Sequence, residues 1–90
     1  MKYFCDESRH VVCLPLTTEN LHKMAKDLEI KKLWYHKSKT GLEHYDIPKY
    51  MIETVTAKCE IVTTREIIKI IRNGRKENIT KDVISVEAQP

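Results

Sequence analysis

Four histidines, His10, His22, His36 and His44, fall in the first half of this chain, and the second half holds none. An imidazole titrates near neutrality, so it can take a proton from a nucleophile and return one to a leaving group. The densest group is His44-Tyr45-Asp46, inside "GLEHYDIPKYM". Such residues could cleave a phosphodiester without a metal. His44 would act as base and His36 or His10 as acid, with Tyr45 donating to a phosphoryl oxygen. Lys37 or Lys39 would stabilise the developing charge. Asp46 could orient an imidazole by accepting its second N–H. In extended backbone, positions 44 and 46 project the same way. A structural use competes for several of these residues. Asp46 could serve a helix dipole, Tyr45 could be packing, and His22 could flank a helix.

The same residue types could ligate a transition metal. Yet no HxH, HxxxH or HExxH spacing occurs, so the local signature of a metal site is missing. Asp6, His36, His44 and Asp46 would have to converge from separate segments. The expectation is no metal and no cofactor.

The frame for these residues is small. Ninety residues, 41% hydrophobic and 32% charged, fit one globular domain over 1–90. A net charge of +3 is too slight to demand nucleic acid and suits a small anion. The basic residues are spread along the chain. Lys23, Lys26, Lys31 and Lys32 read as a solvated face. The three cysteines include no CxxC pair, which argues against a disulfide framework or a zinc ribbon. Cys13 and Cys59 lie in apolar runs and read as buried thiols. No stretch resembles a signal peptide or a membrane span, so a cytoplasmic protein without membrane contact is expected. A domain of this size encloses a pocket most readily by self-association, so a homo-oligomer is expected too.

Several elements must position the histidines. "KYFC" and "HVVCLP" read as strands split by the turn "DESR". "TTENLHKMAKDL" reads as a helix capped by Thr17 or Thr18, with Leu21, Met24, Ala25 and Leu28 on its buried side. "KKLWYHK" reads as a strand centred on Leu33, Trp34 and Tyr35. Residues 37–47 read as a loop. A helix from Pro48 to about Ala57 follows, burying Met51, Ile52 and Val55 along with Ile47 just before it. "CEIVT" is the next strand. "TTREIIKIIRNG" is the clearest helix, with Thr63 and Glu66 at capping-box spacing and Asn73-Gly74 as a stop. "DVISVE" closes the chain as a strand. The order β-β-α-β-loop-α-β-α-β predicts an α/β sandwich with a mostly parallel sheet. In such sheets ligands gather at strand ends and helix N-termini. His36, His44 and Tyr45 should therefore share a pocket near the helix that begins at Pro48.

"ENLHKMAKDLEI", "WYHK", "HYDIPK" and "EIVTTREIIKII" together resemble a small uncharacterised family of bacteria and their phages, domain of unknown function forty thirty-one. The resemblance covers residues 2–72 and leaves 73–90 as an extension. It marks Asp6, Leu21, His22, Trp34, His36, His44, Tyr45 and Asp46, and His10 less securely. Where relatives often carry glycine, this chain has Glu29 and Lys58. A non-glycine residue there, if left-handed, costs about 1 kcal/mol. The family has no assigned activity. The resemblance implies that His22, His36 and the His44–Asp46 triplet share a pocket.

These readings converge on a phage-type protein that acts on a nucleotide signal, with a cyclic dinucleotide as one candidate. It would cleave the phosphodiester by metal-independent histidine chemistry and could counteract nucleotide-based host immunity. His44, His36, Tyr45 and Asp46 would be catalytic. His10, His22, Trp34, Lys37, Lys39 and Asp6 would bind the ligand. The alternative is a sponge that sequesters the signal intact, with Trp34 or Tyr45 stacking on a base. A DNA- or protein-binding accessory factor ranks third, because no helix carries a basic stripe.

Overall fold

The computed structural model describes residues 1–74. Strands β1 (Lys2–Cys5) and β2 (His10–Leu14) precede helix α1 (Thr18–Asp27). A 3-10 turn at Lys32–Trp34 leads into β3 (Tyr35–Lys37), which is followed by β4 (Glu43–Asp46). A second 3-10 turn, Lys49–Met51, runs into the short helix α2 (Ile52–Thr56), and then β5 (Glu60–Ile61) follows. Helix α3 begins at residue 64 and is still helical at 74. The strand expected over "DVISVE" lies outside the described residues.

The α/β class holds, but the sheet is mostly antiparallel rather than mostly parallel. Its order is β3-β4-β2-β1-β5. Three of its pairings are antiparallel, and β1 with β5 alone runs parallel. Two tight connections impose this direction. Asp6 to Arg9 close β1 onto β2. Ser38 to Leu42 close β3 onto β4, with Gly41 supplying a φ of 85° and the Ser38 hydroxyl accepting from the Leu42 N–H. A turn this short can only reverse the chain.

The segment expected to be a loop over 37–47 therefore contains β4. It escaped a pattern reading because its buried positions are Glu43 and Tyr45 and its half-buried positions are His44 and Asp46. Alternation is present, but polar residues occupy both faces. Upstream, Leu33 is exposed and sits in the 3-10 turn, so the strand starts at Tyr35 and not at Leu33. Helix α2 is shorter than expected, and Ile52 is exposed while Met51 and Val55 are buried.

Helix α1 forms as its pattern predicts. The Thr17 hydroxyl accepts from the Asn20 N–H at its N-terminus, and Leu21, Met24 and Ala25 are buried. It ends in a left-handed residue, Glu29, at φ 59°. There Ile30 N–H donates to the Ala25 carbonyl, five residues back, at 2.7 Å. Replacing Glu29 by glycine removes the strain of that conformation. We expect Glu29→Gly to raise stability by about 1 kcal/mol in urea unfolding. Lys58, the other position where glycine was noted, is not left-handed.

Helix α3 opens with the anticipated capping box. Glu66 N–H donates to the Thr63 hydroxyl at 3.1 Å, and the Glu66 carboxylate accepts from Thr63. Gly74, still helical, is the last described residue, so whether Asn73-Gly74 stops the helix lies outside the described residues. Gly74 is buried against Leu16, and a Cβ there would come within 2.6 Å of the Leu16 Cβ.

Among the thiols, Cys5 and Cys13 are buried and Cys59 is half-buried. Burial pushes Cys5 and Cys13 up to about 11 and Cys59 up to about 12. A folded pKa above the unfolded one gives stability that is complete below about 9. It is lost as pH rises towards the folded values. The three thiols should resist iodoacetamide at pH 8 in the native chain and react once urea unfolds it. Rapid native alkylation would refute this burial.

Candidate functional site

Strand alternation sorts the chemistry onto two faces of the sheet. Paired residues share a face, so the register places His10 with Asp46, and His36 with His44, on one side. Val11, Tyr35 and Tyr45 lie on the other. Helix α1 covers the tyrosine side, where His22 meets Tyr45. Helix α3 lies against the histidine side, where Thr64, Ile67, Ile68 and Ile71 join His10, Ser38, Leu42 and His44 around a cleft of about 200 Å³.

The histidine face is built outward from Asp6. This carboxylate is fully enclosed. Burial alone would raise its pKa. The His10 backbone N–H, the His10 ring and the Thr64 hydroxyl overcome that and hold it below the usual carboxylate value. The backbone N–H lies 2.9 Å from Asp6 Oδ1, and His10 Nδ1 lies 2.8 Å from Oδ2. A charged Asp6 requires Nδ1 of His10 to carry a proton. The other ring nitrogen, Nε2, is left facing Asp46.

Asp46 sits between two imidazoles. Its Oδ1 is 3.6 Å from His10 Nε2, and its Oδ2 is 3.5 Å from His44 Nε2. The His10 and His44 rings meet edge to face at 5.1 Å between centroids. His36 stacks on His44 at 5.6 Å with 17° between planes. Burial lowers the pKa of His44, and the neighbouring rings of His10 and His36 add to that, against the opposing pull of Asp46. This lowering favours the neutral ring, which keeps an available lone pair. Asp46 is 45% exposed and His44 only 16%, so the array opens to solvent on the Asp46 side. His10, His44 and Asp46 each offer one ligand atom within 4.8 Å of the others.

The other face holds a closed network. Tyr45 is fully buried. Burial raises its pKa, and its hydroxyl shares a hydrogen bond with His22 Nδ1 at 2.7 Å. Buried Glu43 accepts from the Tyr35 hydroxyl at 2.6 Å and from the Thr18 hydroxyl. Desolvation and the Glu43 carboxylate push Tyr35 up to about 12. The network joins α1 to β3 and β4.

The expected pocket shared by His36, His44 and Tyr45 is thus not formed. Tyr45 and His22 belong to the opposite face from His44. The cleft lies under α3, not at the turn that begins at Pro48. Lys37 pairs with Glu43 in register and shares the tyrosine face. Lys39 is exposed in the hairpin turn. Trp34 packs against the core with the Lys31 ammonium 5.6 Å from its ring. Asp6, His10, His36, His44 and Asp46 do come together. The central place of His10 could have been found: "DESRH" is a tight reversal, and closing it sets position 6 opposite position 10. The α3 residues lining the cleft gave no such signal.

The sequence matches a family described as "Protein of unknown function (DUF4031)" over residues 9–74. The chain belongs to that family. The match takes in the whole histidine array except Asp6, and it extends to the described end of α3. No curated protein and no solved structure matches this member of the family. Among the described residues, no helix is long and apolar enough to cross a membrane.

Proposed function

We propose that this chain cleaves a phosphodiester in a small nucleotide at the histidine face of the sheet. The observation that carries the reading is the Asp6–His10–Asp46–His44 chain, with its partly enclosed His44 favoured in the neutral form. A buried carboxylate that orients an imidazole, which in turn meets a solvent-reachable carboxylate, is costly to build for packing alone. The two imidazoles and Asp46 activate water. His36, exposed and stacked on His44, would protonate the leaving oxygen. Tyr45, Lys37 and Lys39 drop out of the mechanism.

The cleft also bounds the substrate. Small-molecule sites usually enclose about 300–1,000 Å³, and this one measures about 200 Å³. A cleft of that size would admit a phosphoryl group and part of a sugar, so the rest of a dinucleotide would lie across the rim. A second copy over the open side would enlarge it, and a light-scattering mass of one chain would remove that element.

The test is incubation with cyclic and linear dinucleotides and with bis(4-nitrophenyl) phosphate, followed by chromatography. The reading fails if every substrate is returned unchanged. A sponge is the second reading, favoured by Ile67, Ile68 and Ile71, which give the cleft an apolar wall. It predicts a nucleotide that co-purifies or binds and is recovered intact after denaturation.

A further inference from the structure

We propose that His10 Nε2, His44 Nε2 and one oxygen of Asp46 form a binding site for a divalent transition metal of the zinc type. The inference deepens the hydrolase reading by naming what activates the water, but the site itself stands on geometry alone. Two imidazoles and a carboxylate are the donor set of catalytic zinc and of non-haem iron sites, where three protein donors leave a position open for water.

Three observations carry the proposal. The donors are mutually close, with all three atoms within 4.8 Å of one another. Donors bonded at about 2.0–2.2 Å to one ion lie about 3–3.5 Å apart when adjacent. Asp46 Oδ1 lies 3.6 Å from His10 Nε2 and Oδ2 lies 3.5 Å from His44 Nε2, so either oxygen is already near that separation from one ring, and a small turn of the carboxylate would bring it towards the other. Both separations exceed the usual hydrogen-bond range of about 2.7–3.2 Å, so Asp46 does not fully satisfy either ring.

The second observation is Asp6. It lies 2.8 Å from His10 Nδ1 and accepts from the His10 backbone N–H at 2.9 Å. With Nδ1 engaged by Asp6, Nε2 is the ring nitrogen left to face a metal. Metal-ligating histidines usually donate their other N–H to a carboxylate or carbonyl in this way. Third, the strands fix the direction of each donor. His10 and Asp46 are directly paired across β2 and β4, and His44 lies two residues along β4 on the same face. The absence of a local HxH or HxxxH spacing has no bearing here, because the ligands come from two neighbouring strands.

The metal is tested with the chelator-stripped, dialysed full chain. Zn²⁺ is titrated by calorimetry, and Co²⁺ is followed by its visible absorption. We expect one equivalent per chain and Co²⁺ bands of a nitrogen- and oxygen-ligated ion. His10→Gln and Asp46→Asn should weaken binding at least tenfold. Asp6→Asn, which acts through His10, should weaken it about 10–100-fold while the stoichiometry stays at one. His22→Gln should bind as the wild type does. Asp46 is exposed enough for its substitution to leave the fold intact, and a cooperative melt checks that. No Zn²⁺ or Co²⁺ uptake by the wild type overturns the proposal. So does uptake unchanged in folded His10→Gln and Asp46→Asn. Metal binding without hydrolysis of any phosphodiester supports the site and sinks the hydrolase reading. Full hydrolysis in EDTA keeps the hydrolase and sinks the metal.

Discussion

Ile67→Asp is expected to leave no cooperatively folded protein. Ile67 and Ile71 are each 2% exposed, and they bind α3 to the histidine face of the sheet. An aspartate at 67 loses the isoleucine packing and buries a carboxylate among apolar atoms without a partner. Each effect costs several kilocalories, and a domain of this size has about 5–10 kcal/mol in total. Far-UV circular dichroism and a urea melt measure the outcome, and Ile71→Asp should behave alike. Ile68→Asp is the control, since Ile68 is 37% exposed and its variant should still melt cooperatively. A cooperative melt for Ile67→Asp near that of the wild type would show that α3 is not part of the core.

His44→Ala and His22→Ala are expected to separate activity from stability. The sequence assigned both histidines to one pocket, but they stand on opposite faces of the sheet. His44→Ala removes an imidazole from the array around Asp46 and should lower kcat/KM on a phosphodiester by at least about 100-fold. Its melt should change little, because His44 makes no bond that the core depends on. His22→Ala strips the buried Tyr45 hydroxyl of its partner at 2.7 Å. An unsatisfied buried hydroxyl costs about 1–3 kcal/mol, so stability should fall while the rate stays within a few-fold of wild type. Loss of rate in His22→Ala, with His44→Ala unaffected, would move the site to the other face.

Much of the fold was legible because local physics decides it. Thr17 and Thr63 cap helices wherever those helices pack, and Leu21, Met24 and Ala25 recur at a spacing that only a helix buries on one side. The left-handed Glu29 was signalled by the family resemblance, since relatives often carry glycine there; the same signal at Lys58 did not mark a left-handed residue. The family resemblance, carried by spaced strings such as "WYHK" and "HYDIPK", was likewise written in the sequence alone.

Strand direction was not legible there. Alternation of strands and helices is compatible with either sense, and the choice fell to two turns, at Asp6–Arg9 and Ser38–Leu42. Once those turns reverse the chain, β4 lies beside β2, and a segment that resembled a loop becomes part of the sheet. The sequence by itself determined that the histidines are concentrated within residues 10–44, and that positions 44 and 46 share a side if their backbone is extended. Only the tertiary structure decided which of them meet. Cross-strand pairing sets His10 opposite Asp46 and sends Tyr45, one residue away, to the far side of the sheet. The register of two strands distant in sequence fixes that choice, and neither strand carries it alone.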